Sequence, residues 1–327
     1  MFRSRRSRRG AEKSRDAILQ TLSGKLVFVS GKLGDYDIWR LDLPEFKLNQ
    51  LTMSDAWNDN PRWSPDGKWV LYTSNRTEVP EVYLMDEWGN QRRQLTDTGK
   101  YHRTPVWAPD GRSYVCVTNY DGNFDLWLMD ISGARAPQQL TDSEPSDYSP
   151  DVSPDGERIV FTSERGGSDD IWTLEIASGA LTRLTDHEAR DYSPRYSPDG
   201  RRITFVTERH RRGLDPNVDL YLMNDDGTSV RRLTSNAGID RYCTWSPDGR
   251  YWIYTASRPR RIYERLMLME VAEGIPVQLS IDREPLEREI GAIPDATGLF
   301  TLLPQSVIRK FYPEEYFGTE RCPDWTL

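Results

Sequence analysis

A four-residue string recurs along this chain at nearly constant spacing, and that recurrence restricts the fold more than any other feature. Ser-Pro-Asp-Gly stands at Ser64–Gly67, Ser153–Gly156, Ser197–Gly200 and Ser246–Gly249; a variant occupies Ala108–Gly111, and a worn copy, "IPDATG", begins at Ile293. The central prolines, Pro65, Pro109, Pro154, Pro198, Pro247 and Pro294, lie 44, 45, 44, 49 and 47 residues apart. A period in that range marks a unit of one supersecondary motif that stacks on its neighbours, as in the blades of a propeller.

Each unit has the same internal order. An aromatic residue usually precedes the turn ("PRWSPDG", "PVWAPDG", "PRYSPDG", "CTWSPDG"). A run rich in β-branched and aromatic residues follows ("WVLYTS", "RIVFTSE", "RITFVTE", "YWIYTAS"), then a loop into "EVYLMD", "DLWLMD", "DIWTLE" or "DLYLMN", a polar hairpin, and a closing "QLT", "RLT" or "QLS". Short runs of strand formers bounded by Gly, Pro, Asp and Asn read as four strands per unit, here A to D. The Pro-Asp-Gly string is turn chemistry: proline presets φ, aspartate bonds its own downstream backbone, and glycine supplies a positive φ. The acids that open strand C (Asp37, Glu81, Asp125, Asp170, Asp219) read as loop anchors rather than ligands.

Counting strands gives the number of blades. A-type segments begin near Pro61, Pro105, Pro150, Pro194, Cys243 and Ile290; C-type segments near Asp37, Glu81, Asp125, Asp170, Asp219 and Arg265; D-type segments end at Leu51, Leu95, Leu140, Leu184, Leu233 and Leu279. The expected fold is all-β, a six-bladed propeller of four-stranded antiparallel blades. The chain starts at strand B of one blade, and the segment near Ile290 returns as that blade's strand A, which protects the terminal edges. B-type segments number seven, because "KLVFVSG" at Lys25 and "GLFTLLP" at Gly298 both qualify, so a seven-bladed ring with "AILQTL" as an extra A strand is the alternative. The expected divisions are a basic, disordered arm at 1–24, the propeller at 25–305 and a tail at 306–327.

The pattern from "PxWSPDG" through "DIWxMD" to "LT" resembles the TolB-type, WD-like propeller repeat over roughly residues 25–303. The resemblance implies the propeller fold and, less specifically, function. Members of the family bind lipoprotein and colicin partners at the propeller, or shield prolyl-oligopeptidase-type active sites. TolB itself carries an extra N-terminal α/β domain, and only about 24 residues precede the first strand here, which makes a Tol-system role doubtful. Relatives are often periplasmic.

Bulk properties exclude several classes. The net charge is −8, yet residues 1–15 hold seven basic side chains and one acid, so the folded body is acidic and is no general nucleic-acid surface. Mean hydropathy is −0.72, and no run approaches the ~20 apolar residues of a membrane span. Cys116, Cys243 and Cys322 are three, widely and irregularly spaced, neither a disulfide framework nor a zinc pattern. The basic N-terminal segment is followed by "DAILQTLSG", too short and polar for a signal peptide's apolar region, so the expected location is cytoplasmic, or periplasmic if the start codon is misassigned. No "GxSxG" occurs, and His102, His187 and His210 are too few and too scattered for a histidine-bound metal centre.

Topology places the D–A and B–C loops on one face, around the mouth of the central channel. The D–A loops have constant length, ten residues from the Leu of "LT" to strand A in five copies and eleven in the sixth. Equivalent positions therefore present Asn58, His102, Asp147, Asp191, Asp240 and Glu287, and next to them Asp59, Arg103, Tyr148, Tyr192, Arg241 and Arg288. The first set reads as a negative mouth for a cation, an amine or a basic peptide, with Asp147, Asp191 and Asp240 as ligands for a central Ca2+, or as backbone caps. The B–C loops add a basic rim, with Arg209, Arg211 and Arg212 beside His210 in one, and Arg258, Arg260 and Arg261 in the other, suited to acidic peptides or phosphates, or simply solvated. The reading is a scaffold that binds a protein or peptide on this face, of unknown oligomeric state. The alternatives are a propeller hydrolase or lyase, or a small-ligand or carbohydrate-binding protein with a central cation.

Overall fold

The computed structural model describes residues 22–30, 36–45, 47–211, 217–235, 238–257, 265–271, 277–280 and 324–326, and every regular element among them is a β-strand. The first blade holds β1 (Gly24–Ser30), β2 (Asp37–Leu43) and β3 (Lys47–Gln50). The second holds β4 (Asn58–Trp63), β5 (Trp69–Thr77), β6 (Val79–Asp86) and β7 (Arg93–Gln94). The third runs through β8 (His102–Trp107), β9 (Ser113–Thr118), β10 (Asp125–Asp130) and β11 (Gln138–Gln139). The fourth runs through β12 (Asp147–Val152), β13 (Arg158–Ser163), β14 (Asp170–Glu175) and β15 (Leu181–Arg183). The fifth comprises β16 (Asp191–Tyr196), β17 (Arg202–Thr207), β18 (Asp219–Asn224) and β19 (Arg231–Arg232). The sixth comprises β20 (Ile239–Trp245), β21 (Tyr251–Ser257), β22 (Arg265–Glu270) and β23 (Val277–Ser280). A last strand, β24 (Asp324–Thr326), completes the first blade in the order β24-β1-β2-β3. Six four-stranded antiparallel sheets result, as the repeat count requires.

The A strands approach one another in sequence, β4 to β8, β8 to β12, β12 to β16, β16 to β20, β20 to β24 and β24 back to β4, so they form the closed inner ring. The apolar core lies between blades. Val106, Val115, Val117 and Leu126 of the third blade pack with Ile159, Phe161 and Leu174 of the fourth, and corresponding clusters fill the other seams. Sheets buried on both sides need apolar runs rather than strict alternation, hence strings such as "RIVFTS".

The repeated polar residues are spent on the backbone. Ser64, Ser153, Ser197 and Ser246 each donate to the aspartate two residues on, at 2.6, 2.5, 2.5 and 2.6 Å, and accept an N–H at the start of the next strand. The threonine hydroxyl of each "LT" accepts the backbone N–H of the residue after the strand-C acid: Thr52 from Ile38, Thr96 from Val82, Thr141 from Leu126, Thr185 from Ile171 and Thr234 from Leu220, at 2.8–3.0 Å. The same hydroxyls donate to Asp37, Glu81, Asp125 and Asp170. The acids at the start of strand C are loop anchors, as read from the sequence.

The ring closes at a place the repeat count did not indicate. Lys25, Leu26 and Val27 pair with Thr326, Trp325 and Asp324, in the register by which Ile159 and Val160 pair with Val152 and Asp151 in the fourth blade. Asp324 Oδ2 accepts the Trp63 N–H at 2.6 Å, and Asp151 Oδ2 accepts the Tyr196 N–H at 2.8 Å in the same way. The closing A strand is therefore β24, not the segment near Ile290, and residues 324–326 belong to the propeller rather than to a tail beginning at 306. The segments at Ile290 and Gly298 and the arm before residue 22, with all of "AILQTL" except Leu22, lie outside the described residues.

Candidate functional site

Each of the five inner strands β4, β8, β12, β16 and β20 carries a bulge near its start, where the pairing register shifts between Asp59 and Arg62, Arg103 and Val106, Tyr148 and Asp151, Tyr192 and Arg195, and Arg241 and Thr244. The residue at each bulge has a left-handed backbone without being glycine: Asn60 (φ 53°), Thr104 (49°), Ser149 (57°), Ser193 (54°) and Tyr242 (57°). That conformation costs free energy at each position, and five copies of it point to a geometric role. A bulge re-aims the neighbouring side chains. Both sets of residues read from the D–A loops lie just before it, on adjacent positions that strand alternation turns to opposite faces.

The first set turns inward. Asn58, His102, Asp147, Asp191 and Asp240 are wholly buried, and each sits within its strand rather than in an open loop. Arg165, on the B–C loop of the fourth blade, donates to Asp147 Oδ2 at 2.5 Å; Arg209 does the same for Asp191 in the fifth blade, also at 2.5 Å. Both arginines lie two residues past the strand-B residue opposite the aspartate, Ser163 and Thr207. The equivalent Arg76 reaches Asn58 Oδ1 at 3.4 Å, and the equivalent Tyr120 lies edge-on to His102 at 5.4 Å. His102 Nε2 is 2.8 Å from Thr98 Oγ1, and burial pushes its pKa down to about 4, so the ring is neutral.

These facts bear on three expectations. The first set does not form an exposed negative mouth, because own-blade B–C residues fold over it. Asp147 and Asp191 each pair with a separate arginine, and no group of three or more His, Cys, Asp or Glu placed to hold a metal occurs among the described residues; the central cation remains an expectation. Arg209 leaves the basic rim for its pairing with Asp191, while Arg211 stays at the surface beside Glu208 at 2.9 Å. Arg212, Arg258, Arg260, Arg261, Glu287 and Arg288 lie outside the described residues.

The second set divides. Asp59 and Arg103 are buried, whereas Tyr148, Tyr192 and Arg241 are half-buried, the two tyrosines packing against the apolar clusters of neighbouring seams. Around them stand residues that the repeat reading did not single out. Tyr148 Oη and Arg190 Nε both donate to Asp169, a buried carboxylate. Burial, with the Asp169 charge adding to it, pushes the Tyr148 hydroxyl's pKa up, so it stays protonated and can donate. The guanidinium of Arg190 lies 5.5 Å from the Tyr192 ring and its side chain is 53% exposed. Arg103 stacks 4.0 Å above Phe124, which meets Tyr101 edge-on at 6.3 Å. The sequence held one signal for this cluster: Asp169 stands where four of the other units carry Tyr36, Pro80, Phe124 and Val218, and only the sixth unit also has an acid, Glu264.

The model for the TolB β-propeller domain (PD40) matches residues 22–143 and 91–213, more than half of the chain. The chain belongs to the TolB β-propeller family. Among curated proteins it is 34% identical over 98 residues to the Tol-Pal system protein TolB of Roseobacter denitrificans, across 26% of this chain and 22% of that one. It is 30% identical over 60 residues to the protein of the same name from Desulfosudis oleivorans, across 18% of this chain and 14% of the relative. The matches thus span under a quarter of either curated relative. The crystal structure of TolB from Acinetobacter baumannii superposes with a TM-score of 0.66 at 24% identity, covering 79% of this chain and 64% of that one, a likeness of fold. Nothing in these TolB relatives supports the expected cytoplasmic location. No helix among the described residues is long and apolar enough to cross a membrane.

Proposed function

We propose that this TolB-type propeller is a recognition module that binds a segment of another protein on the D–A and B–C loop face, over the third to fifth blades. The observation that carries this reading is the Tyr148–Asp169–Arg190 cluster beside Tyr192. It is a polar device at a position where four of the other units hold an apolar or aromatic residue, so a blade forms without it. Tyrosine and arginine dominate binding hot spots, because each offers a large contact area with a polar tip. Arg190 is fixed through Nε by Asp169, with Nη1 3.8 Å from Glu208, so a partner's acceptor meets a guanidinium that is already ordered and half-exposed, at reduced entropic cost. The names of the two curated relatives, proteins of the Tol-Pal system, favour a role in a multi-component assembly over a stand-alone enzyme.

The test is to select binding peptides from a random display library on the whole chain and measure their affinity by fluorescence anisotropy. Tyr192→Ala and Arg190→Ala each weaken binding by about tenfold or more, the scale of an interface hot spot. Trp88→Ala, in the exposed hairpin between β6 and β7 on the opposite face, leaves it unchanged. Binding lost in Trp88→Ala but kept in the other two variants would contradict the assignment.

A further inference from the structure

The blade seams repeat one arrangement, and one seam lacks a part of it. At every described seam the acid that opens strand C lies beside the residue that opens strand A of the next blade. The backbone N–H of Asn58 bonds Tyr36 O, that of Asp147 bonds Phe124 O, that of Asp191 bonds Asp169 O, and that of Asp240 bonds Val218 O, each acceptor being one residue before the acid. Both members of each pair are buried. A buried carboxylate without compensation is costly, and two side by side are more so.

Four seams show the compensation. Asp37 accepts from Gln50 Nε2 at 3.0 Å and faces the Asn58 amide nitrogen at 3.4 Å. Glu81 accepts from Thr96 and from the Thr98 N–H, and faces His102 at 3.9 Å. Asp170 is paired with Arg183 at 2.7 Å, and Asp219 with Arg232 at 2.7 Å. Gln50, Arg183 and Arg232 are the same repeat position, two residues before the threonine of "LT".

At the seam between the third and fourth blades that position is Gln139, whose side-chain nitrogen is buried with no partner. Asp125 faces Asp147, another carboxylate, and Ser143 lies against both. The charged groups around the pair are Asp142 on the D–A loop, Glu164 and Arg165 on the B–C loop of the fourth blade, and Asp147 itself. Arg165 is engaged with Asp147 Oδ2, while Asp147 Oδ1 is buried without a partner. Asp191 Oδ1 shares that last property, so the distinguishing feature is the missing arginine and not the orphaned oxygen.

We propose that the seam between the third and fourth blades is closed by a proton held on Asp125 against Asp147, in place of the arginine used at the next two seams, and that this seam loosens as the proton is lost. Burial, with Asp147 adding to it, pushes the Asp125 pKa from 3.8 up to about 6. Between those values the folded chain keeps a proton that the unfolded chain has released, so the contribution of Asp125 to stability falls as pH rises through that window and is constant above it.

His102, lowered by burial to about 4, and Glu81, raised by burial, also respond to acid pH, so the measurement is a difference between variants. Unfolding equilibria are measured for wild type, Asp125→Asn and Gln139→Arg at about pH 4.5 and about pH 7.5. The stability of each variant relative to wild type rises with pH by up to ~25-fold in the unfolding constant, the equivalent of about 1.4 pK units. Gln139→Arg serves alone if Asp125→Asn fails to fold. Hydrogen exchange locates the change: the Asp147 amide loses protection with rising pH, whereas the equivalent Asp191 amide does not. A relative stability that is the same at both pH values, or equal loss of protection at the two amides, would overturn the proposal.

Discussion

The closing strand makes a quantitative prediction with a control inside the same molecule. In β24 the Asp324 carboxylate takes the Trp63 N–H at 2.6 Å, and in β12 the Asp151 carboxylate takes the Tyr196 N–H at 2.8 Å. The two aspartates occupy the same place in two blades, paired with Val27 and Val160. Hydrogen bonds to charged groups contribute about 1.5–3 kcal/mol when the partner would otherwise be stranded. Asp324→Ala and Asp151→Ala should therefore each lose about 1.5–3 kcal/mol, and by similar amounts. Deleting residues 323–327 also uncovers the edge of β1, where Leu26 and Val27 are wholly buried. Half of the transfer free energy of those two side chains adds about 2–3 kcal/mol. The deletion then removes about 4–6 kcal/mol, comparable with the whole stability of many domains. Urea unfolding followed by tryptophan fluorescence reads all three variants. If Asp151→Ala is destabilising while Asp324→Ala and the deletion are silent, β24 does not close the ring.

Two further outcomes follow from the buried inner set. His102 is neutral in the fold, with its pKa lowered by burial from 6.5 to about 4, so the folded chain refuses a proton that the unfolded chain binds. Its contribution is fully present above about pH 6.5 and is lost as pH falls toward 4, by about 3 kcal/mol. His102→Asn, which installs the side chain that opens β4, should remove that loss, and melting temperatures of the two proteins compared at several pH values check it. Arg209→Ala leaves Asp191 buried and uncompensated and should cost about 3–5 kcal/mol, whereas Arg211→Ala, at the surface beside Glu208, should cost under about 1 kcal/mol by chemical denaturation.

The fold was legible because its information is local and repeated. Turn residues, strand runs and the threonine of "LT" each have a short-range physical task, and recurrence separates them from chance. The closing strand was legible too, and was missed. Pro323 and Trp325 stand two apart, like Pro61 and Trp63 or Pro105 and Trp107, and Asp324 between them matches Asp151 after Pro150. The worn turn at Ile293 falls near the expected period and drew the assignment to Ile290. The site was half legible. Equal loop lengths found the equivalent positions, and the half-buried Tyr148, Tyr192 and Arg241 came from that alignment. Whether Asp147 and Asp191 face the channel or an arginine depends on the bulges at Ser149 and Ser193 and on the reach of Arg165 and Arg209. Spacing within a single loop does not report those three-dimensional facts. Asp169 was legible only as a departure from most of the repeats; its pairing with Tyr148 lies within the fourth blade, and its pairing with Arg190 reaches the D–A loop that leads into the fifth.

The claim that the D–A and B–C loop face recognises a protein segment is tested most directly by hydrogen exchange on the whole chain, with and without a saturating selected peptide. The account predicts added protection in the loops around Tyr148, Asp169 and Arg190–Tyr192. It predicts no change at the Pro-Asp-Gly turns or in the hairpin bearing Trp88, on the opposite face. Protection confined to those turns and that hairpin, with the Tyr148–Asp169–Arg190 region unchanged, would contradict it.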